Sequence, residues 1–106
     1  MLKHHDAVPP HTRDAFEDYL IRGYPPGSFM MSVLTNDFIG ACTKCDHTNS
    51  EALIHIAKWV LHNAPYGSWG SMQAVKNWID DKDSIRTNFA TAVEKEYMWE
   101  KLSQVI

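Results

Sequence analysis

The segment RGYPPGSFMMSVLTND, Arg22 to Asp37, decides where the first helices end and begin. Gly23 suits the position just after a helix C-terminus, and the two prolines that follow cannot continue a helix. Ser28 follows a Pro-Gly turn signal and is a preferred N-cap residue, so a second helix is predicted to start there. The apolar stripe of that helix is predicted to contain Phe29, Met30, Val33, Leu34 and Phe38.

Upstream of this segment, the sequence predicts a flexible arm and a first helix. The arm is assigned to residues 1–10, which end in two prolines. His11 or Thr12 is expected to cap the helix. Its apolar face recurs at helical spacing and consists of Ala15, Phe16, Tyr19 and Leu20.

Downstream, a kink or break is predicted near residues 36–41, because Asn, Asp and Gly weaken a helix. Residues 41–48 are expected to form a helical turn or a loop. Asn49 or Ser50 is then expected to cap a third helix, with Trp59 on its polar side. The apolar face of this helix is predicted to be Leu53, Ile54, Ile56, Ala57, Val60 and Leu61.

Two more helices are predicted after the loop that follows Pro65. Ser71 is expected to cap a short fourth helix, which buries Met72, Val75, Trp78 and Ile79. Asp83 or Ser84 is expected to cap a C-terminal helix over residues 83–106. The buried face of this last helix is predicted to contain Ile85, Phe89, Ala92, Val93, Trp99 and Leu102.

The composition places the chain among small globular domains. It has 106 residues, 44% of them hydrophobic, and a net charge of −3. Because no segment shows sustained alternation, the sequence predicts one all-α domain, residues 1–106, as a small bundle of four or five helices with short loops. No basic stripe, signal peptide or transmembrane run is seen, so neither a nucleic acid nor a membrane partner is expected.

A pair of cysteines carries the sharpest local pattern, Cys42-Thr43-Lys44-Cys45-Asp46-His47. Two thiolates at this spacing can hold zinc, and His47 is near enough to be a third ligand. A structural zinc site normally has a second ligand pair, which this chain lacks, so two free thiols are favoured. No metal and no cofactor are expected; if a metal binds, its ligands are Cys42, Cys45 and His47.

Two Gly-Ser segments precede predicted helices and present free backbone N–H groups, which suit an anion or a partner. Trp69 lies between two glycines and either fills the core or contacts a partner. Ordinary capping and core filling remain the alternatives. The predicted partner-binding or anion-binding residues are Pro26, Gly27, Ser28, Tyr66, Ser68, Trp69 and Ser71. No catalytic residue is predicted.

Two stretches of the chain resemble a pattern in small uncharacterised bacteriophage-encoded proteins. Residues 24–37 are similar to their P-G-S-F-x-x-A-V-L-x-N-D segment, and residues 64–71 with Trp78 are similar to their W-G-S segment. The resemblance covers roughly residues 12–80. The family's pattern carries no cysteine pair, which argues further against a zinc site.

This resemblance implies a phage origin and no established activity. The resulting hypothesis is a non-enzymatic accessory protein that binds a host or phage protein in the host cytoplasm. A homo-oligomer formed through the C-terminal helix is a further possibility. Two alternatives remain open: a protein that sequesters a nucleotide or another small molecule, and a zinc-stabilised module built on Cys42 and Cys45.

Overall fold

The chain forms helices joined by short loops throughout residues 8–94, which are the residues described by the structure, a computed structural model. Its helices are α1 (Pro10–Glu17), α2 (Ser28–Leu34), α3 (Phe38–Lys44), α4 (His47–Asn63), α5 (Met72–Ile79) and α6 (residues 85–94). A π-helical turn, Asp18–Arg22, extends α1, and a 3-10 turn, Lys82–Ser84, precedes α6. Residues 8–94 contain no strand, and the predicted all-α bundle is confirmed.

The segment before α1 is packed against the core. Val8 is only 2% exposed, Pro9 is also buried, and Pro10 is the first helical residue. Proline is well suited to that position because its fixed φ is helical and the first turn does not need its N–H. The assignment of residues 8–10 to a flexible arm is therefore wrong, and residues 1–7 lie outside the described part.

The predicted cap of α1 is also wrong, since Pro9 is the N-cap residue and both His11 and Thr12 lie inside the helix. Thr12 is buried, and its hydroxyl donates a hydrogen bond to Asn49 Oδ1 on α4. A preferred capping residue is used here as a tertiary contact between two helices.

The end of the π-helical turn follows the prediction for Gly23. Its φ is +72°, and its N–H donates to the Tyr19 carbonyl at 3.0 Å. A Cβ at this position would lie 2.6 Å from the guanidinium carbon of Arg86. That guanidinium donates to the carbonyls of Ile21 and Trp78 and so ties α6 to both segments. Glycine is needed for the backbone conformation and for the close approach of Arg86.

The N-cap residue of α2 lies one residue earlier than predicted. Gly27 is the N-cap residue, and Ser28 is the first helical residue, exposed and without a capping hydrogen bond. The prediction that Ser28 caps this helix is therefore wrong. The extended Pro25-Pro26 segment has already set the direction of the chain, so the helix starts without a side-chain cap.

The predicted break within residues 36–41 is confirmed as the boundary between α2 and α3. Asn36 adopts a left-handed conformation, with φ of 64°, and the Asp37 carboxylate accepts the Gly40 N–H at 2.9 Å. This break affects Phe38, which was predicted to belong to the buried stripe of the second helix. Phe38 starts the new helix and is 66% exposed, so that assignment is wrong.

The N-terminus of α4 is capped by Asp46, whose carboxylate accepts the Asn49 N–H at 2.7 Å. The prediction of Asn49 or Ser50 as the cap is wrong by one helical turn. Asp46, Thr48, Asn49 and Ser50 all carry capping oxygens, and the one that comes first along the chain is used.

The orientation of α4 is also different from the prediction. The buried side consists of Asn49, Ile56, Trp59 and Val60. Trp59 is fully buried, and its ring centroid lies 5.3 Å from that of Phe16. Ile54 and Leu61, which were predicted to be buried, are 65% and 64% exposed. Ile56 and Val60 were predicted correctly, but the prediction joined them with Ile54, Ala57 and Leu61 of the outer, exposed side. The placement of Trp59 on the polar side of the helix is wrong.

The prediction for α5 is confirmed at its start, where Ser71 Oγ accepts the Ala74 N–H at 3.1 Å. Val75 and Trp78 are buried, whereas Met72 is 62% exposed. The preceding loop is anchored by a hydrogen bond from the Gly70 N–H to the Leu34 carbonyl at 2.6 Å.

The start of α6 depends on Asp81, which accepts the Thr87 N–H at 3.0 Å. Asp83 and Ser84, the predicted caps, lie in the 3-10 turn with positive φ. Phe89 packs on Trp78 at 5.7 Å between ring centroids. Of the other residues predicted to be buried, Ile85 and Ala92 are exposed and Val93 is half-buried, while Trp99 and Leu102 lie outside the described part.

Candidate functional site

The loop between α4 and α5, which was predicted to bind a partner, is mostly committed to the fold. Ser68 is fully buried, and its hydroxyl donates to the Pro65 carbonyl at 2.7 Å. The Tyr19 hydroxyl donates to the Ser68 carbonyl, also at 2.7 Å. Burial raises the pKa of Tyr19, so its hydroxyl stays protonated and remains a donor. These bonds fix the loop rather than leave it open for a ligand.

The aromatic residues of this loop have opposite environments. Trp69 is half-buried and packs against the hydrophobic core, which is the core-filling alternative. Tyr66 is fully exposed. Ser71 is exposed, but its hydroxyl oxygen already accepts the Ala74 N–H. Tyr66 is therefore the aromatic side chain that this loop presents to solvent.

The two Gly-Ser segments lie at opposite ends of α2 and do not form one site. Pro26 is half-buried, and Gly27 and Ser28 are exposed at the start of α2. The loop hydrogen bond from Gly70 reaches Leu34, the last residue of that helix. A helix of seven residues is about 10 Å long, so the two segments meet opposite ends of α2.

The cysteine pair lies at the C-terminal end of α3. Cys42 is exposed, Cys45 is half-buried, and the Cys45 thiol donates to the Cys42 carbonyl. His47 instead faces Glu51, with 3.2 Å between Nε2 and Oε1. Within residues 8–94 no three His, Cys, Asp or Glu side chains converge as metal ligands would.

A groove between the α2–α3 corner and α4 is a concave feature that the sequence did not predict. It has a volume of about 490 Å³. Its lining is mainly apolar and consists of Ser32, Val33, Asn36, Asp37, Phe38, Ala41, Ser50, Glu51, Leu53, Ile54 and Ala57. Grooves of this kind accept apolar side chains of a ligand or partner.

Two exposed apolar side chains, Phe38 and Ile54, line this groove, and Ile39 and Leu61 are exposed on the same two helices. Phe38 and Ile39 of α3 are 66% and 72% exposed. Ile54 and Leu61 of α4 are 65% and 64% exposed. We name the groove together with these four side chains the α3–α4 surface. Clustered apolar exposure of this kind marks interaction sites, whereas scattered single residues do not.

The charges at the groove are predominantly acidic. Asp37 and Glu51 contribute carboxylates to the lining. One ammonium group lies nearby, where Lys44 Nζ donates to Ser32 Oγ at 3.1 Å. The electrostatic match for this surface is therefore an apolar segment with basic residues beside it.

A second depression, of about 390 Å³, lies beside α5 and includes Gly67 and Ser71 of the predicted binding loop. Three of its polar side chains are already hydrogen-bonded. The Gln73 amide donates to Asn77 Oδ1 at 2.8 Å, and Ser71 caps the helix. These side chains are therefore less available to a ligand, and we favour the α3–α4 surface as the candidate site.

The signal that could have revealed the α3–α4 surface is the second apolar side of α4. A helix that is apolar around most of its circumference either lies entirely inside a protein or has a second surface to cover. In a chain of 106 residues with a 17-residue helix, the second case is the simpler one.

No helix between residues 8 and 94 is both long enough and apolar enough to span a bilayer. Comparison with known proteins finds no family model, no curated sequence and no solved structure that matches this chain.

Proposed function

We propose that this chain is a non-enzymatic protein-binding domain whose α3–α4 surface holds an amphipathic helix of a host or phage protein. The observation that supports this proposal is an apolar groove lined by exposed Phe38 and Ile54, with Ile39 and Leu61 also exposed on the same two helices. The phage setting, and with it the host cytoplasm, rests on the resemblance of residues 24–37 and 64–71.

Burial of these exposed side chains against a partner would contribute favourable free energy to binding. Fully burying one large aliphatic or aromatic side chain contributes about 1.5–3 kcal/mol. Four of them on one surface can therefore offset much of the entropy lost when two proteins associate. A helix that docks in a groove supplies matching anchors at i, i+3 or i+4, and i+7.

The charge of the groove narrows the class of partner. Asp37 and Glu51 line it, and the whole chain carries a net charge of −3. A docking helix with Lys or Arg beside its apolar stripe gains favourable electrostatics and a faster association rate. An acidic helix would be repelled.

The proposal is tested by comparing two substitutions of equally exposed residues. Ile54→Glu places a charge on the α3–α4 surface, and Met72→Glu places the same charge on α5. Tagged wild type and both variants are used to capture proteins from phage-infected cells, and the captured partner is quantified by mass spectrometry. We expect Ile54→Glu to reduce capture at least tenfold and Met72→Glu to retain it.

Circular dichroism melts show whether both variants remain folded, which is expected because both positions are more than 60% exposed. If Ile54→Glu is folded and still captures the same partner, the α3–α4 surface is not the binding site. If Tyr66→Ala then abolishes capture, the loop between α4 and α5 is the binding site instead.

A further inference from the structure

We propose that α4 pairs with α4 of a second copy of this chain, antiparallel about a twofold axis, and that this weak homodimer closes the α3–α4 surface until a partner displaces it. This inference rests on the proposed function, because it concerns regulation of the same surface. It is independent of the C-terminal helix, which was the sequence-based candidate for self-association.

The outer side of α4 has the spacing of a helix-pairing seam. Its members recur at intervals of three and four residues, and all of them are exposed: His47, Ser50, Ile54, Ala57 and Leu61. Apolar residues at this alternating spacing lie along one line of a helix and pack into the matching line of another helix. The apolar part, Ile54 to Leu61, spans about two turns.

Charges beside this seam are self-complementary. Glu51 and Lys58 are exposed, seven residues apart, and lie on the same side of the seam. In an antiparallel pair, residues on that side of one helix face residues on that side of the other. A twofold axis near residues 54 and 55 therefore places Glu51 opposite Lys58 of the second copy, and the symmetry repeats the pair.

Other ionisable groups on the outer side are compatible with this arrangement. His47 already faces Glu51 within the same chain, and His55 and His62 are exposed on the side of the seam that carries Glu51 and Lys58. The groove carboxylate of Asp37 belongs to the α2–α3 corner rather than to the seam. Because only the middle of the seam is apolar, the dimer is small and dissociates readily, as a displaceable contact requires.

Sedimentation velocity over a range of micromolar concentrations tests the dimer. Wild type is expected to shift from monomer to dimer as its concentration rises. Glu51→Lys and Lys58→Glu each place like charges opposite one another, and each is expected to weaken the dimer at least tenfold. The double variant that carries both substitutions, and an equimolar mixture of the two single variants, restore opposite charges and are expected to restore the dimer.

Rescue is the decisive readout, because a variant that is merely misfolded is not rescued by a second charge reversal. Wild type that stays monomeric throughout, single reversals that dimerise like wild type, or a double variant that stays monomeric would each overturn the inference. Circular dichroism of each variant confirms that its helices are formed.

Lys58→Glu also separates this inference from the proposed function. Lys58 does not line the groove, so the variant is expected to lose the dimer while it retains or increases capture of the partner. A dimer with no captured partner supports the pairing of α4 but removes the proposed function, and with it the regulatory part of this inference. Capture that depends on Ile54, by a chain that never dimerises, removes this inference alone.

Discussion

Both sides of α4 carry large apolar side chains, but only one side is buried. The inner side, with Ile56, Trp59 and Val60, is buried in the core. The outer side, with Ile54 and Leu61, is left in water. The difference shows that apolar character alone does not assign a side chain to the core, because a small bundle can cover only one side of such a helix.

What selects the inner side is the quality of its contacts with α1. The ring of Trp59 packs at a tilt against that of Phe16, and the polar residue of the inner side, Asn49, accepts a hydrogen bond from Thr12. The indole N–H of Trp59 has no acceptor among residues 8–94, which is a cost of burial. The packing of two large rings offsets this cost.

Among substitutions on the two sides of α4, the largest loss of stability is expected at Trp59. We expect Trp59→Ala to lower the free energy of unfolding by about 3–5 kcal/mol, because a fully buried indole leaves a cavity. Urea denaturation followed by circular dichroism measures the change. A loss below about 1 kcal/mol would contradict the assignment of the inner side to the core.

A smaller effect is expected at the polar contact of the inner side. Thr12→Val keeps the shape of the side chain but removes the donor to Asn49, and we expect it to cost about 1–3 kcal/mol. Thr43→Val is the matched control, because Thr43 is exposed and bonds only the carbonyl of Gly40 in its own helix. Equal losses in the two variants would show that the contact of Thr12 with Asn49 contributes nothing specific.

On the outer side, truncation is expected to leave the fold almost unchanged. Ile54→Ala and Leu61→Ala are each expected to change the free energy of unfolding of the monomer by less than about 0.5 kcal/mol, because both side chains are exposed. Measurement at low protein concentration excludes any contribution from self-association. A cost near that of Trp59→Ala would mean that the outer side is also part of the core.

The smallest effect on stability is expected at Asp46, the N-cap residue of α4. The hydrogen bond from the Asn49 N–H holds the pKa of this carboxyl below its usual value, and His11 lowers it further. Stabilisation from a lowered pKa is present above the unfolded value, near 4, and is lost as the pH falls through the folded value.

Asp46→Asn retains a capping oxygen but does not titrate, so we expect this variant to lose less stability than wild type when the pH is lowered from 5 to about 2. Urea midpoints measured across that range provide the comparison. Identical acid limbs in the two proteins would show that the Asp46 cap does not couple folding to pH.

Local backbone chemistry could be predicted from the sequence with some success. The end of the first helical segment at Gly23, the break near Asn36 and the cap at Ser71 each depend on residues within a few positions of one another. The cap at Asn49 was misplaced because Asp46, one turn earlier, offers the same capping oxygen, and local preference does not rank such neighbours. At α2 the N-cap residue is Gly27, so this helix begins without any side-chain cap.

The candidate site could not be predicted for a different reason. The Gly-Ser loop has the composition of a binding loop, yet the carbonyl of Ser68 is held by Tyr19, which is distant in sequence. The α3–α4 surface needs the turn at Asn36 to place Phe38 beside α4, and no local pattern specifies that distance.

The sequence by itself determined an all-α chain, the end of the first helical segment at Gly23, the break near Asn36 and the start of α5 at Ser71. Only the tertiary structure decided which side of α4 is covered, because Phe16 and Thr12 must first be brought to it from α1. Helical periodicity shows where apolar residues recur but carries no information on which stripe meets a neighbour. That choice is made by packing, and here it leaves Ile54 and Leu61 exposed on the proposed binding surface.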